Sequence, residues 1–264
     1  RPLVSQLLAR GAKVRAISRD PNTAGLPYGA EVVEADPSRP DSLDGCFDGV
    51  SAIFLNARAV KTAASKILAL AKRAGVVRAV ALAAGNVDED HARQPSRGRG
   101  DFNAELEQAV IASCLEWVSL RPNEYASNFL GLWGAQLRSR NVIRAPYGAS
   151  QHAPIDERDI AAVAVEALLT DRLLGQKVPL TGPRSQSTRE LAGILAEVLR
   201  RPIRFEEIPP EAARHAMLAQ GFPEGFVTGY LLLQAEAVDR PALVTHTVEE
   251  ILGRPATDFA AWAA

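Results

Sequence analysis

Only two cysteines, Cys46 and Cys114, occur among the 264 residues, so neither a disulfide framework nor a cysteine-rich structural zinc site is available. Four scattered histidines show no HExxH-like pairing, and no Walker loop, G-x-S-x-G elbow or metal-ligand cluster occurs. NTPase, hydrolase and metalloenzyme chemistry therefore lack their usual signatures, and no metal ligands are expected. Charge of neither sign dominates. Thirty Lys plus Arg stand against 31 Asp plus Glu, which excludes a broad basic face for nucleic acid or anionic lipid. No apolar run reaches the roughly 18 residues of a membrane span, and no charged-then-apolar leader precedes the first element. With 47% hydrophobic and 23% charged residues, the chain reads as a globular, cytoplasmic protein in a reducing setting, with small or neutral partners, no nucleic acid and no membrane.

What is present is alternation. Pro2 to Arg10 reads as an amphipathic helix with Leu3, Leu7 and Leu8 on one side, stopped by Gly11. Strands follow around Lys13–Ser18, Glu31–Glu34, Ala52–Leu55, Val76–Leu82 and Trp117–Leu120, with helices over 59–74 and 102–114 between the later ones. The polar stretch Asn86–Gly100 has no periodicity and reads as an exposed loop. Parallel neighbours joined by helical crossovers specify an α/β, doubly wound parallel sheet of Rossmann type. A helix stands where a strand is expected first, so the reading lacks one strand and its connecting loop. Beyond Pro122 the segments become helix-rich and broken by Pro and Gly pairs. Residues 1–145 are therefore expected to form the dinucleotide-binding domain, and 146–264 a smaller helix-rich substrate or cap subdomain, partly interleaved with the sheet. Within it, Asp156–Leu169 carries an apolar face, and Ser187-Thr188-Arg189-Glu190 reads as a capping box opening another helix.

Doubly wound sheets bind ligands at the carboxyl ends of their strands, so these positions carry the chemistry. Gly98-Arg99-Gly100 follows no strand and is rejected as a phosphate loop. Arg19, after the first visible strand, stands where an arginine accommodates a 2′-phosphate and favours NADP(H), with NAD(H) as the alternative; as a surface Arg it has no special role. Asp36 either accepts from an adenine amino group or only begins a turn. Cys46 and Cys114 read as inert thiols in apolar surroundings.

Six segments in register, VRAISRDP (14–21), ADPSRPDSL (35–43), AGVVRAVALAA (74–84), ELEQAVIASCLEWVSLRP (105–122), DERDIAAVA (156–164) and LTGP (180–183), give the chain a resemblance to the NmrA-like family of atypical short-chain dehydrogenases/reductases. The resemblance runs from residue 1 to 264, and Gly253-Arg254-Pro255 with Phe259 and Trp262 resembles the family's tail. It implies a T-G-A-T-G-x-x-G turn holding the pyrophosphate just before the helix with which this sequence opens. Loss of a central strand there is expected to open a slot through the core, costing more than the roughly 5–15 kcal/mol that stabilises a domain. It also implies cofactor contacts from the strand ends and following turns, at Arg19, Asp36, Asn56, Ala57, Ala83, Ala84, Asn103, Pro122 and Asn123. The Ser and Tyr-x-x-x-Lys relay of ordinary short-chain dehydrogenases is absent: the strand end reads Ala83-Ala84, and Asn103 stands where Lys or His is expected. Asn103 can donate to a ribose but cannot act as a general acid, and no catalytic residue is assigned.

After the fifth strand, the resemblance points to Asn123 and Tyr125 beside the substrate pocket, with Phe129, Trp133 and His152 as further lining. The other reading makes Asn123 a helix cap, Tyr125, Phe129 and Trp133 plain core, and His152 structural. The expected function is an NAD(P)H-dependent oxidoreductase, NADPH preferred, passing hydride to a small apolar acceptor of quinone, azo or enone type. The alternative is a non-catalytic NAD(P) sensor acting through a protein partner. Either a monomer or a homodimer is compatible with the sequence.

Overall fold

The computed structural model describes residues 1–264. In chain order it contains α1 (Pro2–Ala9), β1 (Arg15–Ser18), β2 (Glu31–Glu34), β3 (Ala52–Asn56), α2 (Ala57–Val60), α3 (Ala64–Arg73), β4 (Arg78–Leu82), α4 (Asn103–Ala112) and β5 (Glu116–Pro122). There follow α5 (Asn128–Ser139), β6 (Val142–Ala145), β7 (Gln151–His152), α6 (Glu157–Leu169), β8 (Gln176–Leu180), β9 (Gln186–Ser187), α7 (Thr188–Val198), β10 (Arg204–Glu207), α8 (Pro210–Ala219), α9 (Glu224–Glu236), α10 (Thr247–Leu252) and α11 (Phe259–Ala263). The chain divides into two compact units. The first comprises 1–87, 100–121 and 160–178; the second comprises 88–99, 122–159 and 179–264. No helix is long and apolar enough to cross a membrane.

The first unit holds the parallel sheet β3-β4-β5-β8 and a separate parallel pair β1-β2. The apolar runs that read as doubly buried strands are so: Ala79, Val80 and Ala81 of β4 have no exposed surface. The amphipathic helix α3 buries Ile67, Leu68 and Ala71 against the same core, which continues through Leu106 and Val110 of α4. Arg78 is a buried cation at the start of β4. It donates to Glu116 at 2.7 Å, to Asp171, and to the carbonyls of Ala167, Leu168 and Thr170, so its charge is met on every side.

The parallel array is divided by a cavity of about 920 Å³, lined by Leu3, Val4 and Leu7 of α1, Ala16 and Ile17 of β1, and Ile53 and Leu55 of β3. Each of β1 and β3 thus turns one ladder edge toward this space, whereas β4 is paired on both sides.

The second unit is assembled from small pieces. β6 pairs in parallel with β10, and β7 antiparallel with β9. Its core is Phe129 and Trp133 of α5 with Ile143, Leu191, Leu195 and Phe259. The predicted capping box is present: the Ser187 hydroxyl accepts from the Glu190 amide, and the Glu190 carboxylate accepts from the Ser187 amide at 2.7 Å. These bonds from the Ser187 amide and hydroxyl hold the Glu190 carboxyl below its ordinary value. Residues 88–99 belong to this unit and correct the expectation of an exposed loop. Two 3₁₀ turns, His91–Arg93 and Pro95–Arg99, lie there, and Gln94 is buried, donating to the Glu89 carbonyl at 2.7 Å.

Candidate functional site

Within each sheet the strands run parallel, so the carboxyl ends of β1 and β2 share one edge, as do those of β3, β4 and β5. At the first of these edges Arg19 is exposed just beyond β1, and Asp36 lies just beyond β2. Asp36 begins a turn: its Oδ1 accepts from the amide of Ser38 at 2.9 Å and from its hydroxyl at 2.7 Å, and the Arg39 amide donates to its carbonyl at 2.8 Å. The Ser38 hydroxyl and amide hold the Asp36 carboxyl below its ordinary value, with smaller help from the charges of Arg19 and Arg39. Two exposed cations thus share this sheet edge. Arg39 was not singled out in the sequence; the only signal it offered was its place three residues after Asp36 in ADPSR.

At the second edge, Asn56 ends β3 and caps α2, its Oδ1 accepting from the Arg58 amide at 2.9 Å. The side chains beyond it are small. Ala57 and Ala83 are buried and Ala84 is half-buried. Asn103 opens α4, and Pro122 closes β5. Cys46 is buried, and its thiol is pushed up by that burial. Cys114 is exposed, which corrects its expected apolar setting.

Four residues after Asn103, at the spacing of a Tyr-x-x-x-Lys pair, stands Glu107, 4% exposed. Its carboxylate accepts from the Ser119 hydroxyl at 2.5 Å and from Arg121 Nε and Nη2 at 2.8 and 2.5 Å, with Lys177 Nζ at 3.4 Å. Burial alone would push this carboxyl up, but the bonds from Arg121 and Ser119 and the charges of Arg121 and Lys177 outweigh it. The group is held below the usual carboxylate range. A buried acid kept ionised cannot serve as a proton donor near neutral pH.

In the second unit, α5 starts at Asn128 rather than near Asn123, which corrects the capping reading; the Asn123 amide instead donates to the Leu180 carbonyl at 3.0 Å. Tyr125 bridges to Ile155. Phe129 and Trp133 are buried in the core, with ring centroids 4.6 Å apart, and Phe259 stands edge-on to Phe129 at 5.4 Å. His152 is buried beside them, 5.6 Å edge-to-face from Phe129. Its Nδ1 lies 2.8 Å from Glu124 Oε2 and its Nε2 2.9 Å from Thr188 Oγ1. A carboxylate only accepts, so Nδ1 donates to Glu124, and in the neutral ring Nε2 is left to accept from Thr188. Glu124 and Thr188 were not singled out in the sequence, because only tertiary contact brings them to His152; nor was Tyr230 of α9, which stands in the field of Glu124. The Tyr230 hydroxyl is pushed far up by its enclosure and, secondarily, by the negative charge of Glu124, so it is a proton-bearing phenol at any physiological pH.

A family model described as NAD(P)H-binding matches residues 1–171. The chain belongs to the NAD(P)H-binding family. This NAD(P)H-binding protein is 35% identical over 264 residues to the (4-alkanoyl-5-oxo-2,5-dihydrofuran-3-yl)methyl phosphate reductase of Streptomyces griseus, covering 99% of this chain and 92% of that one. It is 33% identical over 239 residues to the NAD(P)H azoreductase of Xenophilus azovorans, covering 89% and 82% respectively. Among solved structures, an NADPH-dependent quinone oxidoreductase from Escherichia coli superposes with a TM-score of 0.81 at 20% identity, over 99% of this chain and 94% of that one. The Rossmann-type α/β fold and the NmrA-like resemblance read from the sequence hold, and the NAD(P)H-binding protein is an oxidoreductase.

Proposed function

We propose that the protein is an NADPH-preferring reductase of small, electron-poor conjugated acceptors. The observation that carries the cofactor preference is the placing of Arg19, exposed just beyond β1, at the same sheet edge as the turn after β2 that carries Arg39, a cationic position suited to a 2′-phosphate. Asn103 donates to the ribose, while Asn56, Ala57, Ala83, Ala84, Pro122 and Asn123 border the cofactor with little bulk. The bound nicotinamide supplies the hydride. Glu107, fixed as an anion by Arg121 and Ser119, occupies the relay spacing without being able to give a proton, so protonation of the product falls to solvent. That arrangement suits acceptors whose reduced form carries its charge well: quinones, azo compounds and doubly activated enones. The Streptomyces relative's substrate name describes such a compound, a ring double bond conjugated to two carbonyls, and an acylated unsaturated lactone is the acceptor of first choice here. Tyr125 and the His152–Glu124–Thr188 cluster are proposed to contribute on the acceptor side, with Phe129 and Trp133 supporting them.

The test follows NADPH consumption with a quinone, an azo dye and an acylated unsaturated lactone. Turnover with at least one is expected; none with any acceptor, despite cofactor binding, would overturn the reading and favour a sensor. Arg19→Ala and Arg39→Ala are each expected to lower kcat/KM for NADPH about tenfold, the size of one charge-assisted hydrogen bond, while leaving NADH nearly unchanged. Equal losses with both cofactors would assign these arginines a structural role instead.

A further inference from the structure

The inward face of α9 carries polar groups that the protein leaves unpaired. Tyr230 and Gln234 stand four residues apart, on the same side of the helix as the wholly buried Val227. Gln234 is only 8% exposed, yet its amide makes no hydrogen bond to the protein, and neither does the Tyr230 hydroxyl. Buried polar groups without partners are costly and uncommon, and each one in a native structure calls for an explanation. The enclosure here is not complete. The Ser150 hydroxyl is the one side-chain polar atom that is both sealed from solvent and unpaired, so the amide of Gln234 keeps an opening to the outside.

The end of α9 is tied to the strand that carries His152. The Gln151 amide donates to the Ala237 carbonyl at 3.1 Å, and Ser150 bridges to Val238. Tyr230 and Gln234 thus lie along the turns that lead into this junction. Glu124 Oε2 is taken by His152 Nδ1 at 2.8 Å, but Oε1 has no partner, and the Glu124 side chain is 22% exposed. The Tyr230 ring is held parallel to that of Phe226, with centroids 5.9 Å apart and planes 9° from one another, so its hydroxyl is directed by packing. That hydroxyl keeps its proton and stands in the field of Glu124.

The donor set selects its ligand. Tyr230 donates, Glu124 only accepts, and the Gln234 amide can do either. A carboxylate or phosphate would accept from Tyr230 but meet the charge of Glu124, and an ether or ketone would leave Glu124 unpaired. A hydroxyl satisfies both through one atom, accepting from the phenol and donating to the carboxylate.

We infer that Tyr230, Gln234 and Glu124 form a subsite for an un-ionised hydroxyl group on a conjugated ligand, a phenol or enol. The inference rests on the reductase reading, since such a compound would be the acceptor, and it narrows that reading to neutral hydroxylated acceptors.

Matched dyes test it. Equilibrium dialysis with NADP⁺ present, at about pH 6 where phenols keep their protons, compares azobenzene, 4-methoxyazobenzene, 4-hydroxyazobenzene and the anion of 4-phenylazobenzoic acid. Wild-type protein is expected to bind the hydroxy dye about tenfold more tightly than the methoxy dye, and the carboxylate least tightly of the four. Tyr230→Phe and Gln234→Met are each expected to remove most of the hydroxyl advantage while leaving azobenzene within about twofold. Neither should lower the melting temperature, because neither group has a partner in the folded protein to lose. Equal binding of the hydroxy and methoxy dyes, preference for the carboxylate, no binding of any dye, or an undiminished hydroxyl advantage in both variants would overturn the proposal. A melting temperature lowered in both variants would overturn it too, by assigning the two groups a structural role. NADPH consumption with menadione, a quinone without a hydroxyl, reads the reductase activity separately. Turnover without hydroxyl preference would sink this subsite alone, and Tyr230-dependent hydroxyl preference without turnover of any acceptor would sink the reductase reading alone.

Discussion

Glu107→Ala is expected to reduce the free energy of unfolding by about 3–5 kcal/mol, the usual consequence of removing one member of a buried ion pair. Glu107 and Arg121 have 5% and 12% of their side chains exposed, so water cannot replace the lost carboxylate, and the Ser119 hydroxyl loses its acceptor as well. Glu107→Gln keeps the volume and one acceptor oxygen but not the charge, and should fall between wild type and Ala. The pH dependence has a definite sign. The folded carboxyl is held below its unfolded value of about 4.3, so the stabilisation it supplies is fully present above that pH and is lost as pH falls through the folded value. The gap between wild type and Glu107→Gln in urea midpoint should therefore be constant near neutrality and close below about pH 4. A gap that does not change with acid, or a Glu107→Ala loss under 1 kcal/mol, would show that Arg121 finds full compensation elsewhere.

The second large effect is expected at Gly182. Its amide donates to the Ala153 carbonyl at 2.9 Å, and a Cβ there would overlap the Pro154 carbonyl oxygen and stand 2.9 Å from its carbon. The obstacle is backbone with no flexible side chain to swing aside, so Gly182→Ala must push the Leu180–Pro183 segment off Ala153-Pro154 at a cost of about 3 kcal/mol. Because His152 immediately precedes that contact, its bonds to Glu124 and Thr188 should loosen too. A lowered melting temperature with a shifted His152 ring resonance is the expected signature. Wild-type stability in the variant would mean that the segment can slide without penalty.

The sequence disclosed what depends on local order. Apolar runs such as Ala52–Leu55 and Val76–Leu82, glycine stops at Gly11 and Gly75, and the Ser187–Glu190 capping box each carry their signal within a few residues, and the corresponding elements are present. The small strands of the second unit were less legible. β7 and β9 are two residues each, and β10 reads Arg-Phe-Glu-Glu, too short and too charged to show alternation. The stretch 86–100 misled for a related reason: its polar composition suggests solvent, yet Gly98 is chosen for a contact with α9 that no nearby residue reveals. The candidate site divides in the same way. Strand-end positions such as Arg19 and Asn56 follow from the fold class, whereas Arg39, Glu107, Glu124, Thr188 and Tyr230 gain their chemistry only from partners far along the chain.

The division of the chain into alternating segments, with passages between units after residues 87, 99, 121, 159 and 178, also bears on how the polypeptide comes into being. During synthesis at roughly 5–20 residues per second, β4 and β5 emerge several seconds before β8 and before the Ala167–Asp171 groups that receive Arg78. A nascent chain in that interval holds a cation at a core position with four of its five acceptor groups still inside the ribosome. The first unit lacks its last segment until residue 178 has emerged, and fragments cut before that point should be poor folders, dependent on chaperones until the later segments arrive.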